Sequence, residues 1–202
     1  MFKKVVGAVL FFGFLVASSL HAEAGWYGKA GVSYVLPQQD LSAGDREYSY
    51  DAGPGMQLGI GYDYGIFSIE GEYSFTWLNN DGVKDDSEPD FSTNGHQEIH
   101  ALTINALYHP PITGISFSPY IGVGLGYGMI SWDSSKTDNG IDDDDITYLL
   151  QVMAGISYDI SKQIALNFEY RYRAFAGYSI DGVGDIDNER FHELHFAMLY
   201  RF

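Results

Sequence analysis

The sequence predicts an all-β fold, an eight-stranded antiparallel up-and-down transmembrane β-barrel after a cleavable signal peptide. Three observations predict it. The chain opens on an export signal and carries no later apolar run long enough for a membrane helix. The remainder divides into eight segments of period-2 alternation. The connections between those segments alternate between short and long.

Composition narrows the function classes first. A length of 202 residues means one domain or at most two. Eleven Lys and Arg against 27 Asp and Glu give a net charge of −16, which argues against a phosphate-backbone binder. The chain has no Cys, so disulfides, thiolate metal sites and a cysteine nucleophile are excluded. Aromatics make up 16% of residues, too many for the acidity to signal disorder.

Residues 1–22 read as a signal peptide. Lys3 and Lys4 form its positive start, residues 5–17 its apolar stretch, and cleavage falls most simply after Ala22. Removing it takes the net charge to −18. Residues 23–202 then form the barrel domain.

The strands follow in order, each with an apolar face and a small or polar face. In residues 26–36, Trp26, Ala30, Val32 and Tyr34 oppose Lys29, Gly31 and Ser33. In 55–63, Met56, Leu58, Ile60 and Tyr62 oppose Gln57, Gly59 and Gly61. In 66–78, Phe67, Ile69, Tyr73, Phe75 and Trp77 oppose Ser68, Glu70, Glu72, Ser74 and Thr76. In 98–109, Leu102, Ile104, Ala106 and Tyr108 oppose Ala101, Thr103 and Asn105. In 117–132, Ile121, Val123, Leu125, Tyr127 and Met129 oppose a row of glycines, Gly122 to Gly128. In 146–159, Leu150, Val152, Ala154, Ile156 and Tyr158 oppose Gln151, Met153, Gly155 and Ser157. In 163–176, Ile164, Leu166, Phe168, Tyr170 and Tyr172 oppose Asn167, Glu169, Arg171 and Arg173. In 190–202, Leu194, Phe196, Met198, Tyr200 and Phe202 oppose Glu193, His195, Ala197 and Arg201.

Long loops are expected at 37–54, 79–97, 133–145 and 177–189, facing outside. Trp26, Tyr62, Tyr108, Tyr158, Tyr200 and Phe202 fall at the short-turn ends; Tyr34, Trp77, Trp132 and Tyr172 fall near the long-loop ends. Two aromatic girdles at the two membrane interfaces account for that placement. The apolar face is also too bulky to fill a small barrel, whereas glycines mixed with Glu and Arg suit a narrow lumen.

These residues resemble the small OmpA-like and opacity-type outer-membrane β-barrels of Gram-negative bacteria. The resemblance rests on PYIGVGLGY at residues 119–127, QVMAGISY at 151–158, FEYRY at 168–172 and the terminal LHFAMLYRF at 194–202. It implies a multi-pass outer-membrane location. It also implies that Leu194, Phe196, Met198, Tyr200 and Phe202 form the signal read by the outer-membrane assembly machinery. It does not choose a function, because the family spans adhesins, structural anchors and small pores.

The inward face carries Lys29, Glu70, Glu72, Glu169, Arg171, Arg173, Glu193, His195 and Arg201. Charges in a narrow lumen must pair or stay hydrated, so an ion-pair network closing the interior is expected. The alternative is a narrow polar channel. The remaining acid lies in the loops, including the run Asp142, Asp143, Asp144 and Asp145, a weak candidate for divalent cations. His192 and His195 point to opposite faces. His96 and His100 share a face with Glu98, too few ligands to specify a metal. No Gly-x-Ser-x-Gly elbow is present, and no nucleophile–base pair is visible.

The expectation is therefore a non-enzymatic monomer without cofactor. It is a surface-exposed scaffold displaying acidic loops for envelope integrity, adhesion or host interaction. Its partners would be outer-membrane lipid and lipopolysaccharide, the assembly machinery, and a host or phage surface ligand, with no nucleic acid. The alternative is a small porin-like channel.

Overall fold

The computed structural model describes residues 25–38, 41–43, 46–85, 88–91, 95–112, 116–134, 141–180, 184–186 and 188–202. The expected signal peptide, residues 1–22, lies outside the described residues. Eight long strands form the wall: β1 (Trp26–Pro37), β2 (Gly53–Asp63), β3 (Phe67–Asp85), β4 (Gly95–Tyr108), β5 (Ser118–Ser134), β6 (Ile141–Asp159), β7 (Ile164–Phe175) and β8 (Arg190–Arg201). Each pairs antiparallel with its neighbour in sequence. β8 then pairs with β1, from Tyr27 opposite Arg201 to Pro37 opposite Phe191, and the ring is closed. Closure leaves the wall without the unpaired backbone edge that lipid does not tolerate.

The faces follow the alternation. Val32, Met56, Ile69, Leu102, Ile104, Val123, Leu125, Phe168 and Met198 are exposed on the outside. Gln57, Glu70, Thr103, Gln151, Asn167 and Arg171 are buried inside. Short connections have local causes. In the β2–β3 turn, Asp63 Oδ1 accepts a hydrogen bond from the Gly65 amide at 2.7 Å, and Gly65 adopts φ +95°, open to glycine without strain. In the β6–β7 turn, Ser161 Oγ accepts from the amides of Gln163 and Ile164, at 3.2 and 3.0 Å.

The wall extends further toward the long-loop end than the sequence predicts. β3 and β6 each have 19 residues. At ~3.3 Å per residue that is roughly 60 Å of strand, well beyond the apolar band even when tilted. Residues 79–85 therefore belong to β3, not to a loop. The Asp142–Asp145 run likewise lies in the β6 ladder, with Asp142 opposite Asp133 and Asp145 opposite Ile130. Asp, Asn and Gly are poor strand formers, but a neighbouring strand that offers its ladder bonds overrides that preference. The other two long connections carry short strands as well. Arg46–Tyr50 pairs with the β3 extension, and Tyr178–Ile180 pairs with Gly184–Ile186.

Candidate functional site

The interior is built in layers. At the short-turn end it is apolar and aromatic, with Tyr27, Ala165 and Leu199 in one cluster and Leu107, Tyr120 and Met153 in another. At the long-loop end Val35, Leu78, Ile99, Ile130, Leu149, Phe175 and Phe191 are buried. The Phe175 and Phe191 rings meet edge to face at 5.7 Å. Between these layers lie the charged side chains.

Arg171 on β7 is the hub and is fully buried. Its two terminal nitrogens grip both oxygens of Glu72 on β3, at 2.5 and 3.0 Å. Its Nε and one terminal nitrogen also donate to Glu169 Oε1, at 3.0 and 2.7 Å. A planar fork that reaches two carboxylates at once suits arginine and no other side chain. Lys29 on β1 bridges Glu70 and Glu72, at 2.5 and 3.2 Å. Arg173 pairs with Glu193 at 3.3 Å, and the second oxygen of Glu193 lies 2.7 Å from His195 Nε2. Seven of the eight charged residues the sequence assigned to the lumen are brought together here. They hold three cations and four carboxylates, with His195 beside the fourth.

The eighth, Arg201, is a correction. It shares the inward parity of Glu193 and Ala197, but it is the last residue of β8 and passes beyond the packed interior. Its guanidinium pairs with Asp159 at 2.8 Å on the rim, where both side chains are partly exposed.

Neutral side chains complete the network, and sequence reasoning did not assign them to it. Tyr27 OH donates to Glu70 at 3.2 Å, and Tyr120 OH donates to Glu169 at 3.0 Å. Gln151 Oε1 accepts from Arg173 Nε at 3.1 Å, while its amide nitrogen donates to Asn105 Oδ1 at 2.7 Å. The two tyrosines were assigned to neither face; the parity Tyr27 shares with Lys29, and Tyr120 with Gly122 and Gly124, was the available signal. The glycine row explains the room these groups need. A Cβ on Gly124 would strike Asn105 and Gln151, and one on Gly128 would strike the Phe175 ring. The space at that wall is taken by side chains of β4, β6 and β7.

The expected assembly-signal residues Leu194, Phe196, Met198, Tyr200 and Phe202 all face outward along β8. Strand pairing places Asp142–Asp145 as described above, and among the described residues no group of three or more acidic or histidine ligands is poised for a metal. His96, Glu98 and His100 lie together on the outer face, with imidazole–carboxylate separations of 3.7 and 3.9 Å.

At the short-turn end a polar vestibule of about 140 Å³ opens between Asp63, His109, Asn167 and Arg201, with Glu70 at its inner side. Ser68 Oγ and His109 Nε2 meet there at 2.5 Å, a pair hidden in the sequence because its members lie 41 positions apart. Ser68 is buried, and the pair ties β3 to the β4–β5 connection. Burial pushes the His109 imidazole below its ordinary value of 6.5; Asp63 pulls it up and Arg201 lowers it further. The folded state thus favours neutral His109, so its contribution to stability is complete above pH 6.5. That contribution is lost as pH falls from there through the folded value. A carbon-detected NMR titration of His109 is expected to show a midpoint below 6.5. A midpoint at or above that value refutes the sign.

A closed ring of antiparallel strands, apolar and aromatic outside and polar inside, defines an integral membrane β-barrel of the outer-membrane type. The model of the outer membrane protein beta-barrel domain matches residues 7–202, and the chain belongs to that family. It is a multi-pass protein of the bacterial outer membrane. Opacity protein opA60 of Neisseria gonorrhoeae is 26% identical over 193 residues, which cover 72% of this chain and 77% of the relative. The crystal structure of Neisserial surface protein A is similar, with TM-score 0.62 and 21% identity, covering 88% of this chain and 97% of that one. The crystal structure of Ail, the attachment invasion locus protein of Yersinia pestis, in complex with the heparin analogue sucrose octasulfate, shares the fold. Its TM-score is 0.52 at 14% identity, covering 89% of this chain and 99% of that one.

Proposed function

We propose that the protein is a non-enzymatic surface scaffold: a closed, rigid barrel that displays acidic segments for adhesion or host interaction and contributes to envelope integrity. The observation that carries this reading is the filled lumen, with a buried ion-pair network held between apolar layers. A wall built that way commits its interior to stability and leaves recognition to the long-loop end. The outward terminal strand supports the reading of Leu194, Phe196, Met198, Tyr200 and Phe202 as the segment the assembly machinery recognises.

Charge indicates the kind of partner. Ail binds a sulfated sugar analogue in its complex. A chain at −16, with Asp concentrated in the sequence segments of the long-loop end, repels such a polyanion and suits a basic partner. Cells displaying the protein are expected to adhere to a polylysine-coated surface, with adhesion falling as salt rises. Neutralising the run as Asp142→Asn, Asp143→Asn, Asp144→Asn and Asp145→Asn is expected to lower adhesion about five-fold with the barrel still folded. Equal adhesion by the neutralised variant refutes the acidic surface as the binding element.

A narrow channel is the second reading. Arg173 Nη2, His195 Nδ1 and Gln97 Oε1 are buried without a hydrogen-bond partner in the protein, and only water can satisfy such groups. Planar-bilayer recordings of the refolded barrel separate the two. Silence supports the scaffold. Reproducible unit conductance that changes in Arg171→Gln supports the channel.

A further inference from the structure

β7 stops at Phe175, whereas β5 continues to Ser134 and β6 begins as far out as Ile141. Just past that end the Ala176 amide donates to the Tyr148 carbonyl of β6, at 2.9 Å. The outer surface is notched at that point. One cross-strand row makes the notch: Leu125 lies opposite Leu150, Leu150 opposite Ala174, and Ala174 opposite Arg190. A small residue between large neighbours leaves a trough. On its β5–β6 side the Tyr127 and Tyr148 rings pack with centroids 5.3 Å apart. The cavity measures about 450 Å³, within the ~300–1,000 Å³ of small-molecule sites.

The trough opens toward lipid. Leu125 is 67% and Tyr148 70% exposed, on the face that a transmembrane barrel turns to the bilayer. Its charged end is fixed in depth. Arg190 shares the outward face of β8 with His192, whose Nδ1 lies 2.6 Å from Tyr170 OH and whose ring packs on Tyr172 at 5.3 Å. That aromatic belt marks headgroup level, and Arg190 stands one pleat above it. Exposed cations are scarce in a chain with 11 Lys and Arg, and this one sits where lipid phosphates lie.

We infer that this trough seats one acyl chain of an anionic outer-leaflet lipid, with the lipid's phosphate held at Arg190. Lipid tails are as apolar as leucine, so the trough has no hydrophobic advantage over the bilayer. Retention comes from close contact along Ala174, Leu150 and Tyr148, together with the phosphate–guanidinium pair. This inference is independent of what the acidic segments bind.

The test uses the barrel refolded into phosphatidylcholine vesicles containing either lipid A or phosphatidylglycerol. After extraction in mild detergent, native mass spectrometry counts the lipids retained. Folding of each variant is checked by heat-modifiable gel mobility. The wild type is expected to keep one anionic lipid. Ala174→Trp fills the trough and is expected to lose it. Arg190→Gln is expected to reduce retention of both anionic lipids about five- to ten-fold, toward the phosphatidylcholine level. Undiminished retention in folded Ala174→Trp overturns the seat. Equal retention of phosphatidylcholine and lipid A by the wild type, or no effect of Arg190→Gln, overturns the role of the phosphate.

Discussion

Replacing Arg171 with methionine is expected to cost about 3–5 kcal/mol of barrel stability, the range for breaking a buried ion pair by removing one partner. Methionine keeps much of the volume but none of the five donors. Glu72 loses both of its bonds to Arg171 and keeps Lys29 at 3.2 Å. Glu169 loses both of its bonds to Arg171 and keeps the hydroxyl of Tyr120 at 3.0 Å. Two carboxylates then remain buried with too few donors. Urea unfolding in lipid vesicles, followed by tryptophan fluorescence, measures the loss.

The charge argument has its own control. The triple variant Arg171→Met, Glu72→Gln, Glu169→Gln removes the cation and both carboxylates together. It is expected to recover most of the lost stability, because neutral amides need fewer donors and no counter-charge. If the triple variant unfolds at the same urea concentration as Arg171→Met alone, the loss is one of packing. If Arg171→Met unfolds like the wild type, the network does not stabilise the barrel at all.

Much of this site was legible because a strand's period is two. Once the apolar face of β3 or β7 is assigned outward, Glu70, Glu72, Glu169, Arg171 and Arg173 have nowhere to go but inward. Which carboxylate each cation meets was not legible. Arg171 and Glu72 lie 99 positions apart, and the contact crosses the lumen between non-adjacent strands. The apolar layers were missed for a related reason. Val35, Leu78 and Phe175 sit where apolar residues follow each other, so alternation loses its meaning at strand ends. Arg201 shows the same limit in reverse, since parity gives the face but not the depth. The wall extensions were hidden because Asp142–Asp145 and Asn79–Asn80 read as breakers, and only the pairing strand shows otherwise.

Gly126→Ala is expected to be among the most damaging single methyls that can be added to the wall. An ideal Cβ there would land on the Leu102 carbonyl oxygen, with Thr103 Cα at 2.8 Å and Leu102 C at 2.9 Å. All three atoms are backbone of β4, so no rotamer change relieves the clash. The strand itself must move away from β5 at the Thr103–Gly126 pair. Overpacking of this kind costs typically 1–3 kcal/mol, and a wall in lipid has no water to satisfy ladder bonds pulled open. Gly124→Ala meets mainly the ends of side chains, Asn105 Oδ1 and Gln151 Nε2. Those can swing aside, at the expense of the 2.7 Å bond between them. Gly71→Ala faces outward with nothing nearer than the Ile60 carbonyl oxygen at 4.0 Å. A methyl there reduces the freedom of the unfolded chain and is expected to be neutral or to stabilise by under about 1 kcal/mol. The predicted order of destabilisation is Gly126→Ala, then Gly124→Ala, then Gly71→Ala, read as urea midpoints in the same vesicles. A barrel that accepts Gly126→Ala as readily as Gly71→Ala would show that β4 and β5 are not in the close backbone contact on which the filled interior depends.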